Sequence, residues 1–338
     1  MALPAAAHAQ VGLASGAYGN EFVLMSRDWG DIVQTYVSSS SHKGLVGRGW
    51  CAGLHVAQGG THSHIDLETR LEFEGTVVRL VECAGHGEEE GIEEFKLRAA
   101  PAGVPRSLLD TARALPPGSS IELTGPEANL SATLTREAFT VHRGNNRALD
   151  ATYDLAGRLV HLNKVAIAWD KDGRLESLGT PEHTVEARID ENGHLKELVE
   201  RSVNVGVDFL YDGADHQTGV RNAWQRPLRF RYDDQGRLTF LQFWDDTVSA
   251  VFYRPQGTVG AVVLRDHCFR TFRRAPGQDE REARIFMRTV CEDGRHDLEA
   301  TLWADANGRV ERAEVVELTA SGQKSRPDFP WRAIVHAY

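Results

Sequence analysis

The sequence predicts an all-β protein: repeated β-hairpins forming one long curved antiparallel sheet. Three observations carry that expectation. A turn motif of the form aromatic-Asp-x-x-Gly-Arg-Leu recurs about every 20 residues. The segments between its copies alternate or run apolar and aromatic, as strands do. Glycine is abundant, at 32 residues, against 12 Pro and 3 Met, which favours tight turns over long helices.

The clearest copies run from Tyr153-Asp154 through Gly157-Arg158-Leu159, and from Trp169-Asp170 through Gly173-Arg174-Leu175. They continue from Ile189-Asp190 through Gly193-His194-Leu195, and from Tyr232-Asp233 through Gly236-Arg237-Leu238. Weaker copies end at Gly257 and Gly308, and Tyr211-Asp212-Gly213 holds a degenerate one. Each has a direct physical account. An Asp carboxylate bonds backbone N–H groups two residues on and opens a type I turn. The Gly three residues later takes the left-handed conformation that closes the hairpin with a bulge. One such hairpin cannot bury its own apolar face, so neighbours must pair side by side. The aromatic before Asp should pack on the sheet beneath the Arg that follows Gly, a contact worth ~0.5–1 kcal/mol at an exposed site.

Upstream, strands are predicted at 21–25, 32–37, 54–57, 71–73, 77–83 and 94–97. One short helix is expected near 107–115, capped by Ser107 and ended by Pro116-Pro117-Gly118. A longer step, from Gly257 to Gly308, leaves room for an extra hairpin at 264–299, with Pro276-Gly277 at its tip. The chain thus divides into a leader at 1–19, an N-terminal β region at 20–150 and a repeat region at 151–338.

The cysteines are Cys51, Cys83, Cys268 and Cys291, with no CxxC pair. Four cysteines allow three pairings, of which Cys51 with Cys83 and Cys268 with Cys291 are the sequence-local choice. Four reduced core thiols fit the same spacing. In the extra hairpin, Cys268 and Cys291 fall nearly opposite one another.

A formal charge of −10 lacks the basic footprint of a nucleic-acid binder, so none is expected as a partner. No apolar run approaches the ~18 residues of a membrane helix, so membrane insertion is not expected. Ala7-His8-Ala9 fits a signal-peptidase site, read either as the remnant of a signal or as a flexible Ala-rich leader. A secreted, periplasmic or cell-surface location is expected, with the cytoplasm as the alternative.

The YDxxGRL motif at this spacing resembles the Rhs/YD-repeat proteins. The likeness extends to Trp29-Gly30-Asp31 through Tyr36-Val37-Ser38, followed by Gly44-Leu45-Val46-Gly47-Arg48-Gly49-Trp50, which looks like the segment that opens the Rhs core. It covers about residues 20–262 and resumes at 303–315. The resemblance implies a β-sheet shell or scaffold that encloses, delivers or contacts another protein. This chain departs from large members of the family in two ways. About seven repeats are too few to enclose a toxin domain in one copy. No Asp-Pro dipeptide occurs, so the family's self-cleavage motif is absent.

Other residue clusters have plainer readings. His55, His62 and His64 flank Gly59-Gly60 and could offer a metal pair, but a polar, solvated loop or strand edge is the favoured reading and no third ligand is identifiable. His267, Cys268, Cys291 and His296 have zinc-compatible types in no recognised spacing, which favours a disulfide or free thiols. Glu88–Glu90 with Glu93 and Glu94 lacks the alternating spacing of a calcium loop and reads as a solvated run. Asn129-Leu130-Ser131 matches a glycosylation sequon. No GxSxG elbow supports a Ser–His–Asp triad. No cofactor is expected.

Function follows from these readings as an expectation. The chain is a non-enzymatic scaffold whose partner is a protein, or another copy joined through open sheet edges. Alternatives are an accessory partial shell of a toxin-delivery system and a carbohydrate-binding module using Trp224, Trp244, Trp303 or Trp331. A metal-dependent hydrolase built on the histidine cluster is a further one.

Overall fold

A computed structural model of the protein describes residues 7–11, 18–38, 40, 42–58, 61–81, 83, 92–97, 107–126, 130–143, 149–222, 226–265, 267–276, 283–292, 298–304, 310–319 and 322–325. It is an all-β protein whose strands pair antiparallel throughout the described residues. The one helix described, Leu108–Ala114, begins where the Ser107 hydroxyl accepts the Asp110 N–H (3.4 Å).

Two large sheets and one two-stranded hairpin are formed by the described residues. The first orders the strands Ala7–Val11, Tyr18–Arg27, Gly30–Val37, Trp50–Gln58 and Thr61–Asp66 side by side in chain order. The second starts at Arg70–Glu74 and runs to Gly322–Ser325, each strand pairing with the next along the chain. The strands between 70 and 143 belong to the same sheet as the repeats, so the change of sheet falls between Asp66 and Arg70. The first strand of this sheet is drawn back onto it part-way along the chain. Arg70 bridges Arg158, and the Leu71 N–H donates to the Gly157 carbonyl (3.3 Å), which seats the first strand on a repeat turn.

The first sheet covers the inner face of the second. Trp50 has no exposed surface and lies 4.8 Å from the Phe230 ring, and Phe22 meets Phe243 at 5.9 Å. Burying an aromatic of this size stabilises the fold by ~1.5–3 kcal/mol, and such ring pairs add ~0.5–1.5 kcal/mol. Three polar bonds cross this core between the sheets. Trp50 Nε1 donates to the Tyr232 hydroxyl (2.9 Å), the Leu238 N–H donates to the Tyr36 hydroxyl (2.8 Å), and Gln217 Nε2 donates to Gln34 Oε1 (2.9 Å). Each bond links residues some two hundred apart in the chain, so the sheets share one core.

The glycine-rich stretch 44–49 explains itself in this packing. Its two short strands, Lys43–Gly44 and Gly47–Arg48, form a small hairpin laid across the repeat turns. The Arg48 N–H donates to the Asp215 carbonyl (3.1 Å), and the Leu45 carbonyl accepts from the Leu195 N–H (2.5 Å). Gly47 holds φ at 93°, and a Cβ there would stand 2.9 Å from the Asp215 oxygen. Only glycine allows both that conformation and that approach.

Candidate interaction surface

The repeat turns share one geometry. Asp154, Asp170, Asp190 and Asp233 each donate their backbone N–H to the carbonyl four positions on, and their own carbonyl accepts the N–H of the Gly three positions on. One carboxylate oxygen of each accepts two further N–H bonds, as Asp233 Oδ1 does from Gln235 (3.0 Å) and Arg237 (2.9 Å). Gly157, Gly173, Gly193, Gly236 and Gly257 all hold φ between 77° and 93° at the fourth position. The degenerate copy has the same form with Asp in the place of Gly. Asp212 opens it, but Asp215 (φ 66°) takes the left-handed place, and Gly213 does not. Asp246 and His267 do the same at the turns that lead to Thr247 and Cys268. A pattern search fixed on glycine misses these turns, because Asp and His also tolerate the left-handed region. Gly308 lies outside the described residues.

The stacking of the motif's Arg and aromatic runs between repeats. Arg237 lies 4.4 Å over the ring of Tyr253, the aromatic of the following copy. His194 stacks on Tyr211 (4.8 Å) and His216 on Tyr232 (4.7 Å) in the same manner. The aromatic then reaches back. Tyr211 donates to the Leu195 carbonyl (2.8 Å), Tyr232 to Gln217 (2.6 Å), Tyr253 to Leu238 (3.0 Å), and Trp169 Nε1 to Leu159 (2.7 Å). Every acceptor is the residue just after the Arg or His of the preceding turn. Burial drives the phenol pKa values of Tyr211, Tyr232 and Tyr253 far up, which keeps them donors.

The remaining sequence candidates separate clearly. Cys51 is bonded to Cys83 and Cys268 to Cys291. The first bond ties the two sheets together, and the second crosses the extra hairpin, where Cys268 pairs directly with Cys291. The sulfurs of Cys268 and Cys291 are therefore not zinc ligands, and His296 lies outside the described residues. The register sets His55 opposite His64, with His62 two residues along. His55 Nε2 meets Glu21 Oε2 at 3.1 Å, and the side chains of His62 and His64 lie outside the described residues. Glu94 pairs with Arg79 (3.0 Å) and Lys96 (3.0 Å), which hold its carboxyl below the usual range. Glu88–Glu90, the Glu93 side chain, Asn129, Trp224 and Trp331 are outside the described residues. Trp244 packs against the core rather than standing out as a platform.

One donor cluster was not legible in the sequence. His42, Glu68 and Cys83 bring one ligand atom each within 4.8 Å of one another. The Cys83 sulfur is spent in its disulfide, and Glu68 already accepts the N–H groups of Leu45 (2.6 Å) and Ala52 (3.2 Å). The hydrogen bond from Glu68 raises the His42 pKa. This cluster fastens the small hairpin.

What remains is the outer face of the second sheet. The register places Phe240, Ala250, Val263, Phe269 and Val290 in one row across successive strands. Phe269 is 44% and Val290 37% exposed, and beside them Phe252 is 53% and Val248 41% exposed. Scattered exposed apolar residues are ordinary, but a contiguous band of them marks a contact surface. Next to this band lies a groove of about 560 Å³ walled by Arg254, Arg273, Phe286, Arg288, Glu299 and Thr301.

No protein-family model matches the chain, and no curated protein matches it in sequence. Two solved structures align over 91% of it. One is the Photorhabdus luminescens Tc holotoxin pore carrying a TccC3 mutation, at 9% identity and a TM-score of 0.20. The other is a TcdB2–TccC3 crystal structure, at 8% identity and a TM-score of 0.19. The chain spans 23% of the length of each. Likeness at that level carries no conclusion about fold or function.

Proposed function

We propose that the protein is a non-enzymatic β-scaffold of Rhs/YD-repeat type, exported from the cell, that contacts a partner protein through the outer face of its repeat sheet. The observation that supports this reading is the apolar band from Phe240 to Val290, with Phe252 and Val248 beside it. Association through such a band releases ordered water and is worth ~25 cal/mol per Å² removed from solvent. The inner face offers no comparable opening around residues 195–243, because Trp50, Tyr36 and Phe22 of the first sheet already cover it. A scaffold that works from outside accords with that plugged interior better than a container does.

The test is cross-linking in the native host, comparing the wild-type chain with Phe252→Asp. Phe252 is solvent-facing, so the variant should keep its melting temperature. The scaffold reading expects a stoichiometric protein partner that the variant loses. Recovery of monomer alone, or of the same partner in both, would count against it.

A further inference from the structure

We infer that the outer face of the strands Cys268–Pro276 and Ala283–Cys291 grips an extended peptide segment of the partner protein that is both acidic and apolar. This rests on the scaffold reading and names what the scaffold would hold. Side chains alternate along a strand, and this hairpin sorts its outward ones by chemistry. Phe269 pairs with Val290 at one end; Thr271 pairs with Arg288 and Arg273 with Phe286 towards the other. One end of the face is therefore apolar and the other basic, within a few residues.

The basic end is pre-organised. Arg273 and Arg284 both lie over the Phe286 ring, at 4.5 and 4.9 Å. Arg284 and Arg312 lie over Trp303, at 5.3 and 4.4 Å. The result is a row Arg273–Phe286–Arg284–Trp303–Arg312 that crosses four strands. A guanidinium on a ring face uses its flat side there, while its N–H donors lie in its own plane and suit a carboxylate. Stacking also removes rotamer freedom before any ligand arrives, which lowers the ordering cost of binding. The carboxylates described on this face are few: Glu299 stands 3.7 Å from Arg288, and Glu314 pairs with Arg312. In a chain of net charge −10, this concentration of arginine marks the face as complementary to acid.

The apolar half decides between classes of partner. A nucleic acid or an acidic polysaccharide would use the arginines and rings but has no aliphatic groups for Phe269 and Val290. A peptide carrying Asp or Glu beside Leu or Phe satisfies both halves at once. The groove beside the hairpin continues from Arg254 to Thr301, so an extended segment can lie across the strands.

The experiment is fluorescence anisotropy of a labelled peptide of alternating Glu and Leu, titrated with the full chain. Polyglutamate, oligo-dT and a sulfated oligosaccharide serve as the other probes. The expected result is binding to the Glu–Leu peptide that is at least about tenfold tighter than to polyglutamate. Arg273→Glu with Arg288→Glu, and separately Phe269→Ser with Val290→Ser, should each weaken it by about tenfold or more. Melting curves confirm that these surface variants fold, and a salt titration of the wild-type chain gives a second measure, with affinity falling as salt rises. No binding to the peptide, equal or tighter binding to any other probe, or salt-independent affinity overturns the inference. If the Phe252→Asp variant still loses its cross-linked partner in that case, the scaffold reading stands and only the peptide chemistry falls. If it does not, both fall.

Discussion

Two stretches of the same sheet hold their hairpins together by different means. From Tyr153 to Val263 the strands are short, and order is imposed at their ends. Each Asp fixes its own turn, His194, His216 and Arg237 stack on the next aromatic, and that aromatic donates back to the residue after the His or Arg. From Cys268 onward the described residues carry no such ladder of ends. The strands are longer, with nine successive pairs from Cys268↔Cys291 to Pro276↔Ala283, and a disulfide crosses the hairpin. The contrast teaches that a repeat sheet can be specified locally, by turn chemistry, or along its length, by pairing and a cross-link. It also leaves the two stretches with different outer faces. The repeat stretch pairs its outward Arg188, Arg201 and Arg221 with carboxylates, whereas the later strands set Arg273, Arg284 and Arg312 against the rings of Phe286 and Trp303.

The largest test asks whether the repeat stretch depends on the first sheet as much as on its own turns. Trp50→Ala empties a fully buried site between Phe22 and Phe230, and should cost about 3–5 kcal/mol. Chemical unfolding measures this, and a loss under ~1 kcal/mol would mean the sheets fold independently. Next, Cys268→Ser with Cys291→Ser removes a link spanning 23 residues and should cost ~3 kcal/mol. An unchanged melting temperature would show that strand pairing alone secures the later stretch.

Gly236→Val bears on the turns themselves. It forces a β-branched residue to φ 77°, with its Cβ 2.7 Å from His216 Nε2, and should cost ~2–3 kcal/mol. Gly257→Val, where a Cβ meets only Arg237 at 3.8 Å, should cost less. Equal losses would assign the whole effect to backbone strain. Tyr253→Phe leaves the Leu238 carbonyl without its phenol donor and should cost about 1–2 kcal/mol. A double-mutant cycle with Arg237→Ala reads whether stacking and hydrogen bond act together.

The smallest effect is on acid stability. Burial works against ionisation of Asp245, but bonds from Thr247 and Arg265 outweigh it and hold the pKa at about 2, below the ordinary 3.8. The same balance lowers Asp212 and Asp233. A carboxyl depressed in the folded state stabilises it above the ordinary pKa and ceases to do so as pH falls through the folded value. Stability should therefore decline between about pH 4 and pH 2, and Asp245→Asn should flatten that decline. A parallel decline in the variant would remove Asp245 from the account.

Much of the repeat stretch was legible because its signals are short-range. Asp154, Gly157 and their counterparts act within five residues, so spacing alone exposes them. The turn at Asp212 was only half legible, since Asp215 stands at the position where the other copies carry glycine. The outer arginine row was not legible at all. Arg273, Arg284 and Arg312 are scattered in the chain, and they meet Phe286 and Trp303 only across strands.

The sequence by itself determined the all-β class, the repeating turns and the placement of the extra hairpin, because each depends on the conformational preferences of neighbouring residues. Tertiary structure alone decided that the first sheet covers the inner face of the second, and that the apolar and basic residues of the later strands share one outer face. Those outcomes depend on register and on which faces meet. No local pattern in a chain encodes the register between segments two hundred residues apart; it is chosen by the packing that buries the most surface without stranding a polar group.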